Sequence, residues 1–134
     1  NSHQKLEWNC RGNNDGDLKH KIIQFRASGI RVKLPTFSPA LNLVGTQVPI
    51  LPWIELPKEC IPTYSNEELE QYGLTQDDIR FGRYLSTKEA AALQGMGKLK
   101  FGHLSRTRIY EALGNAVNVD IVTIIAKKLL GYEQ

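Results

Sequence analysis

Residues 83–96 read Arg-Tyr-Leu-Ser-Thr-Lys-Glu-Ala-Ala-Ala-Leu-Gln-Gly-Met, and this stretch decides how the second half of the chain folds. Serine followed by glutamate at this spacing forms a capping box, in which Ser86 accepts from a free amide and Glu89 accepts from the amide of Ser86. The alanines and leucine that follow are good helix formers, and Gly95 supplies a stop. The stretch therefore predicts a short helix that begins after Ser86 and ends at Gly95.

A second informative stretch lies near the C-terminus. Ser105 predicts the start of a helix over residues 106–113, Gly114 and Asn115 predict a break, and an apolar helix is expected over about residues 117–130. Apolar side chains cover most of this last helix, whereas a surface helix needs an apolar stripe little more than ~100° wide. Two interpretations remain open: a central core helix, or a helix that docks on a second polypeptide or domain.

The first half of the chain predicts short strands and irregular loops. Residues 22–26 and 30–33 are β-prone, and the second of these alternates apolar with basic side chains, which point away from the buried side. All 6 prolines lie within residues 35–62, and since proline cannot donate to a strand ladder, we expect an irregular extended segment there. Ser65 and Glu68 form another capping box, which begins the helical part.

Composition places the chain among ordinary soluble proteins. Its 134 residues suffice for one modest domain, and 41% apolar with 23% charged residues is an average balance. No apolar run approaches the ~18 residues that span a bilayer, so no membrane partner is expected. Cys10 and Cys60 form no metal pattern, and a reducing cytoplasm fits best. Because the chain begins at Asn1 and its only methionine is Met96, we expect that it is not a complete translation product but an excised domain, or a domain with a short leader left over.

Charge is distributed unevenly along the chain, although the net charge is only +3. Residues 1–33 carry seven basic and three acidic side chains, residues 34–79 carry one and seven, and residues 80–110 carry seven and one. Two basic segments around an acidic one suit a protein that presents one face to phosphates. On charge alone, solvated surface is the simpler interpretation.

Taken together, the two C-terminal stretches resemble the last two signature motifs of the DNA cytosine-5 methyltransferases. In that family the first motif runs Arg-x-Leu-Thr-x-Arg-Glu-x-x-Arg-Leu-Gln-Gly-Phe, and the second begins Gly-Asn-Ala/Ser-Val, as in residues 114–119 here. Residues 83–96 depart from the first motif at Ser86, Lys88, Ala92 and Met96. A fainter likeness to the family's variable target recognition domain covers residues 22–45.

The resemblance implies an α+β fold: a small domain with short twisted strands and proline-rich loops, followed by C-terminal helices that dock on a missing Rossmann-like catalytic domain. It predicts a target recognition domain over residues 1–82, a motif helix and loop over residues 83–104, and the second motif with a docking helix over residues 105–134. The family's Pro-Cys nucleophile, Glu-Asn-Val acid and Phe-x-Gly-x-Gly loop do not occur in the sequence, so no catalytic residue is assigned. No histidine has ligand spacing, and no metal is expected.

The implied function is the target-recognition and C-terminal portion of a bacterial restriction–modification enzyme, either as an excised fragment or as the small subunit of a split enzyme, and it is inactive alone. The complete enzyme would transfer a methyl group from S-adenosyl-L-methionine to cytosine C5 in a specific duplex sequence. Its partners would be double-stranded DNA and the catalytic domain or subunit, with a restriction endonuclease linked only genetically. A stand-alone sequence-specific DNA-binding or regulatory module is the alternative. A third possibility is an interaction domain whose basic segments are incidental.

Site residues follow from the resemblance and from base-contact chemistry. Asn115, Ala116 and Val117 would line the S-adenosylmethionine pocket, at a helix start whose free amides can receive a carboxylate. Because arginine on guanine O6 and N7 is the commonest specific contact, base or phosphate contacts are predicted in the first basic segment for Arg26, Arg31 and Lys33. Phosphate contacts are predicted in the second basic segment for Arg106 and Arg108. A structural organising role is predicted for Arg83, Ser86 and Glu89.

Overall fold

A computed structural model describes residues 5–13, 15–41 and 47–132. Over these residues the protein is α+β, with five strands and four α-helices, which confirms the α+β part of the predicted fold. Docking of the C-terminal helices on a missing catalytic domain stays a prediction. The chain divides into two compact units. The first comprises Asn1–Phe37 and Pro49–Tyr84, and the second comprises Ser38–Val48 and Leu85–Gln134. Residues 42–46, at the end of the segment likened to a target recognition domain, lie outside the described residues.

The first unit is built on a five-stranded sheet. Its strands are β1 (Lys5–Asn9), β2 (Ile22–Arg26), β3 (Gly29–Lys33), β4 (Ile50–Glu55) and β5 (Phe81–Tyr84). Their order across the sheet is β1-β3-β2-β4-β5. β1 runs parallel to β3, and the other neighbours are antiparallel. The two strands predicted in the first basic segment are confirmed as β2 and β3.

β1 can pair with β3 because residue 29 is glycine. Gly29 has a φ of +128°, and a Cβ on it would lie 2.1 Å from the carbonyl oxygen of Lys5. Only glycine adopts this conformation without strain and leaves room for the neighbouring backbone. The pairing that Gly29 permits brings Glu7 of β1 directly opposite Arg31 of β3.

A central strand lies in the proline-rich segment, where only irregular extended chain was expected. β4 contains Pro52, yet it lies between β2 and β5. Its pairing with β5 changes register between Leu51 and Glu55, and its described pairing with β2 is at Ile50. Pro52 therefore occupies an irregularity that requires no ladder donor, and this is why the expectation was wrong.

A short helix and two 3-10 turns, Lys58–Cys60 and Asp78–Arg80, connect β4 to β5. Helix α1 (Asn66–Gln71) begins at the predicted capping box, in which Ser65 accepts from the Glu68 amide and Glu68 accepts from the Ser65 amide. Gly73, with a φ of +64°, follows the helix as the predicted stop. The 3-10 turn Asp78–Arg80 leads directly into β5.

Three helices form the second unit: α2 (Thr87–Leu93), α3 (Arg106–Asn115) and α4 (Val119–Leu129). Most of its buried side chains come from α2, α3 and the residue that follows β5. They are Leu85, Ala90, Ala91, Ile109, Tyr110 and Leu113. The Tyr110 hydroxyl donates a hydrogen bond to the Leu85 carbonyl, so the polar group of this buried ring has a partner.

The break between the last two helices lies after Gly114 and Asn115, not at them. Both residues complete α3, and the interruption comes at Ala116 and Asn118, which have extended backbone. Glycine inside a helix costs only about 1 kcal/mol relative to alanine, so other contacts can override its tendency to break a helix. Hydrogen bonds to α2, described below, fix the start of α4 instead.

Among the residues that the structure describes, one stretch has the length and apolar composition of a membrane span, and it is Arg106–Leu129. A single such stretch is weak evidence. The interruption before α4 divides it into helices of 10 and 11 residues. Each is well short of the ~20 residues that cross a bilayer.

Candidate functional site

Gln94, which follows α2, joins the two C-terminal motif stretches. Its backbone carbonyl accepts a 3.0 Å hydrogen bond from the Val119 amide, and its side-chain Nε2 donates to the Leu113 carbonyl at 3.0 Å. The carbonyl of the neighbouring Leu93 accepts from Nδ2 of Asn118 at 2.8 Å. These three bonds hold the end of α3 and the start of α4 to the end of α2.

Asn118 also caps α4 with the other half of its amide. Its Oδ1 accepts a 3.0 Å hydrogen bond from the Ile121 amide, so both ends of the side chain are engaged. Two of the amides at the start of α4, those of Val119 and Ile121, therefore already have partners. This helix start is not an open receptor for a carboxylate.

The three residues predicted to bind the cofactor precede α4. Asn115 is exposed at the C-terminal end of α3, Ala116 is half-buried, and Val117 is 68% exposed. The C-terminal end of a helix carries partial negative charge, so this place favours a cation over a carboxylate. The helix-start explanation for these residues is thus wrong, while their cofactor role stays a prediction.

Asp120, in the first turn of α4, lies against Gly95. A Cβ on Gly95 would be 2.7 Å from Oδ2 of Asp120, and Gly95 has a φ of +71°. Both residues line a surface cavity with Ala92, Met96, Gly97, Lys98 and Leu99. Residues 115–117 are not among those that line it. The sequence analysis did not identify Asp120 as a site residue, because an acidic residue in the first turn of a helix is common there and indicates only where the helix begins.

Two of the predicted DNA-contacting arginines share one carboxylate. Arg31 donates from Nε to Oε2 of Glu7 at 3.0 Å, and Arg26 donates from Nη2 to Oε1 of the same residue. These hydrogen bonds, the larger contribution coming from Arg31, lower the pKa of Glu7. The group of three carries one net positive charge at neutral pH. The sequence analysis did not identify Glu7, because its contacts with Arg26 and Arg31 are made between strands and cannot be seen in the local sequence.

Lys33 differs from Arg31, although both belong to β3. Its side chain is buried, at 6% exposure, and its ammonium lies 3.5 Å from the centre of the Phe37 ring. Burial, followed by the charge of Arg31, lowers the pKa of Lys33. The expectation that it points away from the buried side is wrong. A phosphate contact would require the ammonium to leave this place, and its DNA role stays a prediction.

Arg106 and Arg108 are both exposed in the first turn of α3. Ser105 caps this helix by accepting from the Arg108 amide at 3.4 Å, and the Arg106 guanidinium lies 5.5 Å from the centre of the Tyr110 ring. The first turn holds no acidic residue. A helix N-terminus with two arginines has positive potential and suits a phosphate, so the predicted contact is physically reasonable and stays a prediction.

The predicted organising residues lie on both sides of the point where the chain passes from β5 to α2. The capping box of α2 is confirmed: Ser86 accepts from the Glu89 amide at 3.2 Å, and Glu89 accepts from the Ser86 amide at 2.8 Å. Arg83 lies in β5, half-buried, and donates from Nη1 to the Tyr84 carbonyl at 3.1 Å. Its organising role stays a prediction.

α4 is exposed along its whole length. None of its residues is buried, and large aliphatic side chains are exposed on several sides of the helix. They are Val119, Ile121, Val122, Ile124, Ile125 and Leu129. The interpretation as a central core helix is therefore wrong, and the expected apolar exposure is confirmed.

Comparisons with known proteins give one informative match. No protein-family model matches the chain, and no solved structure is significantly similar to it. The chain is 31% identical over 128 residues to the type II methyltransferase M.AluI of Cellulosimicrobium cellulans. The matched part is 95% of this chain but only 19% of that protein. Along nearly its whole length, the chain is thus similar to about a fifth of a type II methyltransferase.

Proposed function

We propose that this chain is the target-recognition and C-terminal portion of a bacterial DNA cytosine-5 methyltransferase. In the complete enzyme a methyl group would pass from S-adenosylmethionine to C5 of a cytosine in a specific duplex sequence. The similarity to a methyltransferase over 95% of the chain supports the class of enzyme. The resemblance of residues 83–96 and 114–119 to consecutive family motifs supports the cytosine-5 reaction and the C-terminal position.

The observation that carries the proposal is the junction at Gln94. Two stretches that resemble separate family motifs are hydrogen-bonded to each other through the end of α2. The helix that follows is anchored at its start and has no buried residue. An anchored but uncovered apolar helix fits a segment that packs on another domain. A stand-alone DNA-binding module would leave the same helix in solvent, which makes that alternative less favourable.

In the proposed reaction, this chain and its catalytic partner have different roles. Attack on cytosine requires a thiolate nucleophile and an acid that act on a base turned out of the duplex. The sequence contains neither the Pro-Cys nor the Glu-Asn-Val motif, so the catalytic domain or subunit would supply both. We assign this chain the DNA contacts, made by Arg26, Arg31, Arg106 and Arg108. The complete enzyme would act in the cytoplasm, beside a genetically linked restriction endonuclease.

Residues 115–117 would form one side of the cofactor pocket. S-adenosylmethionine supplies the methyl group and carries an ammonium and a sulfonium charge. The negative end of α3 at Asn115 suits these cationic groups better than the carboxylate. Since all three residues are exposed or half-buried, the remainder of the pocket would belong to the catalytic domain.

The proposal is tested with a chimera. In the type II methyltransferase relative, the matched segment is replaced by this chain, and transfer of labelled methyl groups from S-adenosylmethionine to DNA is measured. We expect the chimera to methylate C5 of cytosine, while the relative without the segment and this chain alone transfer nothing. Methyl transfer by this chain alone, or a methyl group on another base atom, would contradict the proposal.

A further inference from the structure

Glu7 has an unusual position for an acidic side chain, because it lies among the basic residues proposed to face DNA. It stands directly opposite Arg31 across the parallel pair β1 and β3, and Gln24 stands opposite Arg31 on the other side. Arg31 is thus the middle member of a three-strand row. A carboxylate at this position repels DNA phosphates and so weakens general DNA binding, unless the residue contributes to binding in another way.

The atoms involved identify that role. Arg31 uses Nε for its 3.0 Å bond to Glu7. A guanidinium has five N–H donors in a planar fork, so a bond at Nε leaves the two terminal nitrogens for another partner. These two nitrogens are the pair that can bind guanine O6 and N7 end-on. The Arg31 side chain is 32% exposed, so part of it remains accessible to a ligand.

We propose that Glu7 is a specificity-determining residue that positions the Arg31 guanidinium for end-on contact with a base. The inference rests on the function proposed above. Arg26 binds the other oxygen of Glu7 and so fixes the orientation of the carboxylate. An arginine held in this way loses less conformational freedom when it binds a base, and this favours one base geometry over a general attraction to phosphates.

A purely structural or neutralising role predicts something different. If Glu7 served only to neutralise the arginines, removing its charge would strengthen binding to every duplex equally. If Glu7 only stabilised the fold, its removal would lower the free energy of unfolding without changing which DNA sequences are preferred. Positioning alone predicts that general affinity and discrimination change in opposite directions.

The experiment uses the 134-residue chain and a pool of duplexes whose central six base pairs are randomised. Enrichment of sequences at low salt is compared for the wild type and Glu7→Gln, and the salt dependence of binding is measured for both. Glu55→Gln is the matched control, because Glu55 forms a similar pair with Arg80 in the same unit. Urea unfolding of each variant verifies that it is folded.

For Glu7→Gln we expect binding to the pool at least as tight as that of the wild type. The slope of log K against log salt should be steeper by about 0.9, since one negative charge is lost. Sequence enrichment should fall on the order of tenfold, the loss expected for a weakened base contact. Glu7→Asp keeps the charge but shortens the reach, so its salt slope should match the wild type while its enrichment still falls. Glu55→Gln should keep full enrichment.

The outcomes separate this inference from the proposed function. A wild type that discriminates among duplexes, with Glu7→Gln and Glu7→Asp discriminating equally well, would overturn the positioning role alone. A wild-type chain that binds no duplex would overturn the proposed function and the inference with it.

Discussion

Nδ2 of Asn118 donates a 2.8 Å hydrogen bond to the carbonyl oxygen of Leu93, 25 positions earlier in the chain. The same side chain caps α4 through Oδ1. Few residue types can do both, because the cap needs an acceptor and the contact with α2 needs a donor. Asn118 thus places the start of α4 as well as stabilising it.

Replacing Asn118 separates these two contributions. Asn118→Ala should lower the free energy of unfolding by about 1–2 kcal/mol, because it removes both the cap and the bond to Leu93. Asn118→Asp keeps the cap acceptor and loses only the donor, so its effect should be smaller. Urea unfolding followed by far-ultraviolet circular dichroism measures both. Equal losses for the two variants would mean that the bond to Leu93 contributes the whole effect.

Gly95→Ala should destabilise the protein more than Gly102→Ala does. Both glycines have positive φ, so alanine at either site suffers about 1 kcal/mol of backbone strain. Only at Gly95 would the new methyl group also meet Asp120, whereas nothing lies within 4 Å of the corresponding position on Gly102. Unfolding free energies of the two variants isolate this crowding. Identical values would show that the Asp120 side chain moves aside without cost.

The contribution of Glu7 to stability should depend on pH. Its pKa in the folded protein is lowered from the usual 4.5, chiefly by the hydrogen bond from Arg31. A lowered pKa means that the stabilisation is fully present above pH 4.5 and is lost as the pH falls through the lower, folded value. The difference in unfolding free energy between wild type and Glu7→Gln should therefore shrink below pH 4.5. A difference that stays constant from pH 7 to about 3 would contradict a charged pair.

The exposed side chains of α4 should govern self-association. Ile121→Asp or Ile125→Asp should reduce association of the isolated chain in sedimentation experiments, because each places a charge on an exposed apolar helix. In the chimera the same changes should reduce methyl transfer. Stability should change by less than ~0.5 kcal/mol, as at other surface positions. Leu104→Asp, on an equally exposed leucine outside the helix, is the control and should leave methyl transfer intact.

The two basic segments should affect DNA binding differently in the chimera. Arg31→Ala should relax the sequence preference, at a cost of about 1–3 kcal/mol on the preferred site. Arg106→Ala should weaken binding to all duplexes alike and reduce the salt slope by about 1, as loss of one phosphate contact does. Titration of preferred and unrelated duplexes distinguishes the two patterns. If Arg31→Ala binds both like the wild type, its base-reading role is lost.

Local signals were sufficient to predict the starts of α1, α2 and α3 and the strands β2 and β3. The capping boxes at Ser65 and Ser86 involve residues three positions apart, and their chemistry is readable in the sequence. β1 was missed, although Leu6, Glu7 and Trp8 alternate as a strand does. Its formation depends on parallel pairing with a distant strand and on space left by Gly29. β4 was missed because proline is compatible with a strand only where the ladder is irregular.

The same distinction between local patterns and contacts of distant residues applies to the candidate site. The motif stretches and the basic residues were predictable, since they are defined by residue type and spacing. The contacts among them were not, because Gln94 and Leu113 are 19 positions apart and Glu7 and Arg31 are 24 apart. The burial of Lys33 likewise follows from its surroundings and not from its own strand pattern.

In the methyltransferase proposed above, the junction at Gln94 also limits where the enzyme can be cut into separate polypeptides. A cut between Gln94 and Asn118 would leave the carbonyl acceptors of Leu93 and Gln94 on one piece and their donors at the start of α4 on the other. Each piece would then carry hydrogen-bonding groups whose partners lie on the other piece. Engineers who wish to make methylation depend on the meeting of two fragments should therefore keep both motif stretches on one fragment, and place the cut ahead of them.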